Sequence, residues 1–309
     1  MNRSMDRLLP AVMVLLACPA AIAWGPATHV YILKYVNGLT TLPAVYGAMA
    51  PDCCSAIRDN PTISSNLRHL THYEFELLDP DWFAIGFATH NNQWGADYYA
   101  HLYYDPEADD IYSTVKIRQL SNEFGLTMQE AEDIFEGAID YLVRREWGPS
   151  LGYLIAASAA QSSYGQRLVD TYAQPLAQRV SGLSEQQAAQ EIEDACTAFR
   201  ILTEIYGEHL TQDLEELDII IPSILATYLG CDTETATIYF ERAVEICQDD
   251  YRAELLGVAA EVRARMGLYP EYEVPVTSRS TFMTGLLILA VAVLRLTKRI
   301  PNRSRGERP

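Results

Sequence analysis

Basic residues, cysteines and strand-like patterns are all scarce in this sequence. It has 23 lysine and arginine residues against 41 aspartate and glutamate residues, which gives a net charge of −18 at pH 7. A surface this acidic repels the phosphates of nucleic acids at long range, so high-affinity or processive binding of nucleic acid is disfavoured. Alternating apolar and polar residues are rare, which argues against a protein built from sheets.

The cysteines do not form the pattern of a disulfide-stabilised protein. Of the six, Cys18 lies in the N-terminal segment, and an odd number remains, so at least one thiol is unpaired or bonds to another chain. Adjacent Cys53 and Cys54 are not expected to pair with each other. No histidine is placed as a base for these cysteines, which disfavours a hydrolase with a cysteine nucleophile.

Apolar residues recur at helical spacing along most of the chain, so we predict an all-α fold with a large core. The predicted helices cover residues 26–37, 42–49, 79–104, 127–146, 151–160, 184–206, 211–229 and 233–266. We expect residues 24–147 to be a metal-binding half and residues 148–266 to be a helical remainder or extension.

The first 23 residues have the basic start, apolar run and small-residue end of a secretory signal. Cleavage after Ala23 would make Trp24 the N-terminal residue. The alternative is lipoprotein processing, which would make Cys18 the N-terminus, but Leu16 fits that pattern poorly. A free α-amine at Trp24 has a pKa of about 7.7–8.0 and can chelate a metal together with its own carbonyl oxygen. His29, five residues on, could complete such a site.

The C-terminal segments predict a membrane attachment. Residues 267–280 read as a linker, residues 281–297 as a short transmembrane or sorting segment, and residues 298–309 as a basic tail. The apolar stretch is shorter than the roughly 20 residues of a typical span, so a permanent anchor and a clipped sorting signal both remain open. Positive residues after it place the tail in the cytoplasm and the domain on the periplasmic or extracellular face. Without residues 1–23 and 279–309, 14 basic and 39 acidic residues remain, a net charge of −25.

Residues 87–104 read FATHNNQWGADYYAHLYY and carry a candidate metal site. On one helix, at about 100° per residue, Asp97 would lie about 20° from His90, and His101 about 40° from Asp97. Two imidazoles flanking a carboxylate are a suitable ligand set for a borderline ion such as zinc. A solvated helix face with inactive histidines is the simpler alternative.

Several of these features occur in an order that resembles the zinc-dependent phospholipase C family, whose fold is shared by the fungal-type zinc nucleases. They are Trp24, His29, the Pro51-Asp52 dipeptide, Thr71-His72 and the histidine-rich segment 87–104. The resemblance covers residues 24–140. The spacing from Trp24 to His29 is similar to the nuclease branch, whereas GAMAPD and THNNQWGADYYAH are more similar to bacterial phospholipases C.

The resemblance implies two to three zinc ions. Asp52, His72, His90 and Asp97 would hold the first, and Asp97 would bridge to a second ion held by Trp24 and His29. The third would take His101, Glu132 and Glu136. Two departures from the family pattern are a carboxylate at 132, where the family usually has histidine, and a spacing of seven positions from His90 to Asp97 rather than four.

Helix geometry gives an independent expectation for the two glutamates. Thr127 and Glu130 form a capping-box pattern, and the apolar stripe that follows places Glu132 inside the buried arc and Glu136 at its edge. An unpaired carboxylate there costs several kcal/mol, so a metal or a buried partner is expected. The alternative is a rotated helix with Glu132 exposed. We expect Asp140 to be solvated or to support a ligand.

Two further histidines are expected to lie outside the site. We choose His72 over His69 because the family pattern has Thr-His, and we expect His69 to lie at the surface or behind a ligand. His209 lies among acidic residues and is expected at the surface.

Together these features predict an exported, membrane-anchored, zinc-dependent phosphodiester hydrolase that is phospholipase C-like. Zinc would lower the pKa of a water towards about 7, and Asp52 would assist as base or ligand. The expected substrate is a phospholipid or another small phosphodiester, and no protein partner can be inferred. The alternatives are a nuclease or nucleotidase of the same fold, and an inactive membrane-tethered helical binding protein.

Overall fold

Helices are the only regular secondary structure in the part of the chain that the computed structural model describes, which confirms the all-α prediction. That part comprises residues 24–38, 40–102, 112–160, 163–269 and 272, without the side chains of residues 101 and 102. The predicted signal segment 1–23, the apolar segment 281–297 and the basic tail 298–309 lie outside it. None of the described helices is long and apolar enough to cross a membrane.

Twelve α-helices follow one another in this part of the chain. In chain order they are α1 (Pro26–Asn37), α2 (Leu42–Met49), α3 (Pro61–Tyr73), α4 (Trp82–His90), α5 (Tyr112–Phe124), α6 (Met128–Trp147), α7 (Ser150–Ala159), α8 (Tyr164–Arg179), α9 (Glu185–His209), α10 (Leu214–Leu229), α11 (Thr233–Cys247) and α12 (Tyr251–Met266). Shorter 3-10 turns cover Ala50–Ala56 and Phe75–Leu77, and a π-helical turn covers Tyr98–Leu102.

Most predicted helices are present, but three were missed and two, 79–104 and 233–266, were drawn too long. α1 and α2 have the predicted bounds, and the Thr127–Glu130 capping box starts α6. α3, α5 and α8 were not predicted, although Asn60 and Pro61 give α3 a recognisable start: the Asn60 side chain accepts from the backbone N–H of Ile63 at 3.1 Å. The predicted helix 233–266 is two helices, separated by the turn after Cys247.

Helix α1 lies at the centre of the fold. Eight of its 12 residues are buried, and it packs against α2, α4, α6, α7 and α12. Being covered on most sides, it carries apolar residues around nearly its whole circumference rather than along one stripe. His29 is among its buried residues, so this polar side chain lies inside the core and needs a partner there.

Helices α2 and α4 touch backbone to backbone through two glycines. A Cβ on Gly86 would lie 2.0 Å from the carbonyl oxygen of Ala44, and one on Gly47 would lie 2.2 Å from the carbonyl oxygen of Phe83. Only glycine fits at so close an approach. Because α4 ends at His90 and α2 leads directly into the turn that carries Asp52, this contact positions two of the candidate ligands relative to each other.

The start of the predicted linker packs on the helical domain. Tyr269 stacks on Trp94 with ring centroids 5.3 Å apart, and Tyr272 lies 6.3 Å from Phe75. No disulfide links the five cysteines of the described part, and all but Cys231 are buried.

Candidate metal centre

The predicted single helix over 79–104 is wrong, because the chain turns sharply after His90. The side-chain oxygen of Asn91 accepts from the backbone N–H groups of Gln93, Trp94 and Gly95 at 2.7, 2.9 and 3.3 Å. Its amide donates to the carbonyl of Ala88 at 2.6 Å. One asparagine therefore both ends α4 and closes the turn that follows, using its tendency to bond to nearby backbone.

The turn brings Asp97 back towards His90. A Cβ on Gly95 would lie 2.4 Å from the backbone nitrogen of Asn91, so the turn closes this tightly only with glycine. Asp97 comes just before the π-helical turn Tyr98–Leu102. His90 and Asp97 thus face each other across a turn, and not because they share one face of a helix.

Five of the predicted ligands meet in the core. His29 comes from α1, Asp52 from the 3-10 turn after α2, and His72 from the last turn of α3; His90 ends α4, and Asp97 follows the Asn91 turn. None of the five is more than 7 % exposed. Such a concentration of imidazoles and carboxylates is stable in a core only if the groups neutralise one another or bind a cation.

His72 and His90, taken with either aspartate, have the spacing of three ligands of a tetrahedral site. The Nε2 atoms of His72 and His90 lie 3.2 Å apart. Each of them lies 3.5 Å from Asp52 Oδ1 and 3.3–3.4 Å from Asp97 Oδ2. A tetrahedral zinc site with ligand bonds of about 2.0–2.1 Å has edges of about 3.3–3.4 Å between ligand atoms. Two histidine nitrogens and one carboxylate oxygen therefore fit three ligand positions of a tetrahedral metal ion.

The histidine tautomers also suit a metal. His90 Nδ1 lies 2.9 Å from the carbonyl oxygen of Ala48, and His72 Nδ1 lies 3.0 Å from that of Arg68. A carbonyl oxygen only accepts, so both Nδ1 atoms carry a proton, and the Nε2 atoms are the ones left to bind a metal once they are deprotonated. Backbone carbonyls commonly fix metal-binding histidines in this way.

Asp97 is placed to bridge two cation positions. Its Oδ2 faces His72 and His90, and its Oδ1 lies 3.5 Å from Nε2 of His29, whose ring stacks on His90 at 4.0 Å. Neither carboxylate oxygen, nor His29 Nε2, has a hydrogen-bond partner. Buried polar atoms without partners are costly, so these three atoms fit a site completed by a metal.

The protonation states balance the charges of the cluster in the absence of a metal. Burial disfavours a charged His90, but the charges of Asp97 and Asp52 outweigh it and raise its pKa to about 10. Burial opposes ionisation of Asp52 and Asp97 as well, yet His90 holds the pKa of both carboxyls below the usual range. Burial and then the charge of His90 lower the pKa of His29 to about 3. A bound metal would take the place of the His90 proton.

The other predicted ligands are placed differently. The Trp24 side chain is buried, with its ring 5.8 Å from that of Phe135. A free amine at Trp24 depends on cleavage at segment 1–23, outside the described residues. His101 belongs to the π-helical turn, and its side chain also lies outside the described part.

Of the two glutamates on α6, Glu136 is the more deeply buried. Glu132 is only half-buried, so the prediction that Glu132 lies inside the buried arc and Glu136 at its edge is wrong. Glu136 is 7 % exposed, and its Oε1 atom has no hydrogen-bond partner. The helix is rotated towards the side of Glu136 and Asp140, which face a cavity that Asp52 also lines.

Asp140 was expected to be solvated or to support a ligand, and because it is buried the first of these alternatives is wrong. Its carboxylate accepts from the backbone N–H groups of Ala27 and Thr28 at 3.3 and 2.8 Å and from the Thr28 hydroxyl at 2.6 Å. The Tyr206 hydroxyl also donates to it. Asp140 therefore caps α1, the helix that carries His29. The sequence gives a hint, because Gly25 at the N-cap has no side chain with which to do this.

Replacing Asp140 by alanine is expected to lower the free energy of unfolding by about 2–3 kcal/mol, because buried donors at the start of α1 lose their acceptor. The change should couple to Thr28→Ala by about 1 kcal/mol in a double-mutant cycle. Urea denaturation measures both quantities. Asp140→Ala combined with Thr171→Ala, whose hydroxyl bonds within α8, should be additive. Full additivity with Thr28→Ala would contradict the capping role.

The remaining histidines divide between surface and cavity. The His69 side chain is 49 % exposed and lies 3.8 Å from Glu74, which agrees with a surface residue. His209 is half-buried and lines the cavity beside Asp52 and Glu136, so the expectation of a plain surface residue is wrong. Its acidic sequence neighbours gave no sign of this, because the cavity is formed by helices distant in sequence.

Comparisons with protein-family models, with curated proteins and with solved structures give no match to this chain. The function of this chain is therefore inferred from the geometry of the site.

Proposed function

We propose that this protein is a zinc-dependent phosphodiester hydrolase similar to phospholipase C. The observation that carries the proposal is the buried cluster in which Asp97 faces His72 and His90 with one oxygen and His29 with the other. Buried His and Asp groups that could hold a metal ion are present; zinc as the ion and hydrolysis as the reaction are the proposed parts.

Zinc bound here would supply Lewis-acid stabilisation of a phosphate and a water of lowered pKa. The chain itself fixes the ligands. Ala48 and Arg68 carbonyls orient the rings of His90 and His72, and Asp140 holds the helix that carries His29. Asp52 stays ionised because its pKa is held low, which favours a role as ligand; as a base it would accept a proton at a carboxylate oxygen.

The proposed substrate is a phospholipid or another small phosphodiester. The excess of 41 acidic over 23 basic residues favours such a substrate over a long nucleic acid, which the protein would repel. We further propose that the domain is exported and attached to the membrane through the apolar segment 281–297, with Trp24 as the processed N-terminus and a ligand of the second ion.

Metal analysis of the chain exported through its own N-terminal segment is the decisive experiment. We expect two to three zinc ions per chain, and about one fewer when an extra residue precedes Trp24. The zinc-loaded protein should hydrolyse phosphatidylcholine, and His72→Gln should lower that activity by about 100-fold or more, because it removes a ligand. His69→Gln, at an exposed histidine of the same helix, is the matched control and should change neither quantity.

The other outcomes separate the alternatives. Absence of bound metal after zinc supplementation would overturn the hydrolase. Cleavage of single-stranded DNA or nucleotides in preference to phosphatidylcholine would identify a nuclease or nucleotidase of the same fold. Bound zinc without hydrolysis of any of these substrates would leave an inactive, membrane-tethered binding protein.

A further inference from the structure

A cavity beside the metal cluster is lined by both acidic and apolar residues. Asp52, Asp133, Glu136 and Asp140 are among its lining residues, and isoleucine and leucine residues of α10 form its apolar wall. No lysine or arginine is among its lining residues in the described part of the chain. The only lining histidine is His209, whose pKa burial lowers below the usual range.

Two of the acids are buried with an oxygen that nothing satisfies. Glu136 and Asp133 are each 7 % exposed, and Glu136 Oε1 and Asp133 Oδ2 have no hydrogen-bond partner. The other oxygen of Asp133 accepts from Gln129 at 3.2 Å. Native proteins seldom bury such atoms without a partner, so a ligand that donates hydrogen bonds is expected here.

The apolar wall restricts the kind of ligand. Ile220, Ile221 and Ile224 come from α10, and Phe199 and Leu210 extend the apolar surface from α9 and the residue that follows it. A hydrated metal ion gains nothing from such a wall, whereas an alkyl or aryl group would be removed from water there.

We propose that this cavity binds an amphiphilic organic cation, namely a protonated amine whose ammonium group is held by Glu136 and Asp133 and whose apolar chain lies against α10. An ammonium group has three donors and no acceptor, which suits two carboxyl oxygens that lack donors. This binding goes beyond the proposed hydrolysis and does not need a metal, so each can fail without the other.

Calorimetry with n-hexylammonium on the full chain in EDTA tests the proposal. We expect saturable binding, with 1-hexanol at least tenfold weaker because it lacks the charge, and ammonium chloride at least tenfold weaker because it lacks the chain. Hexanoate should not bind. Equal binding of hexanol would show that the acids contribute nothing, and absence of hexylammonium binding would overturn the proposal outright.

Variants locate the site. Glu136→Gln removes a buried acid and should lower the affinity for hexylammonium at least tenfold. Ile221→Ser should also lower this affinity, because it removes part of the apolar wall. Glu215→Gln, the same chemical change at an exposed position of α10, should have no effect. If Glu136→Gln instead lowers the zinc content by one ion and leaves amine binding unchanged, Glu136 is a metal ligand and the proposal is wrong.

Discussion

Zinc is expected to raise the melting temperature of the wild-type chain by about 10 °C and that of Asp97→Asn by only about 3 °C or less. A ligand at a concentration of about 1,000 times its dissociation constant raises the free energy of unfolding by about 4 kcal/mol. Each kcal/mol shifts the melting temperature of a domain of this size by about 2–4 °C. Asp97 faces His72 and His90 with one oxygen and His29 with the other, so asparagine, with the same shape but no charge, weakens both positions.

Differential scanning calorimetry with and without zinc measures this difference. Metal-free Asp97→Asn should itself be less stable than the metal-free wild type, by about 3 kcal/mol, because protonated His90 loses a buried partner. Asp249→Asn is the matched control at an exposed position and should keep the full zinc shift. An undiminished shift in Asp97→Asn would place the zinc elsewhere in the protein.

The second large effect is expected from a single methyl group at Gly86. Alanine there would put a Cβ 2.0 Å from the Ala44 carbonyl oxygen, which is backbone and cannot rotate away. Helices α2 and α4 would have to separate, at a cost of about 3 kcal/mol or more, although alanine alone favours a helix by about 0.5–1 kcal/mol. Because α4 ends at His90, zinc stabilisation should fall as well.

Urea denaturation of Gly86→Ala and Gly257→Ala provides the comparison. Gly257 lies within α12, and a Cβ there meets nothing within 4 Å, so the same substitution should stabilise by about 0.5–1 kcal/mol. If both variants are equally stable, the close contact between α2 and α4 does not constrain the fold.

Local patterns were sufficient for those features that depend on neighbouring residues. The capping box at Thr127 and the apolar stripe of α6 follow from the spacing of residues within one helix, and both are present. The break after His90 was missed, because the apolar residues on either side of it continue a helical pattern. Asn91 and Gly95 end the helix through hydrogen bonds and a close approach that spacing alone does not reveal.

The sequence by itself determined the all-α class, the bounds of α1 and α2, and the residue types of a possible metal site, since these depend on periodicity, caps and ligand chemistry. Only the tertiary structure decided which ligands meet. It brought His29, Asp52, His72, His90 and Asp97 together from five segments, buried Glu136 more deeply than Glu132, and turned Asp140 into the cap of α1. These placements depend on helix rotation and on contacts between residues far apart in the chain, which no local pattern encodes.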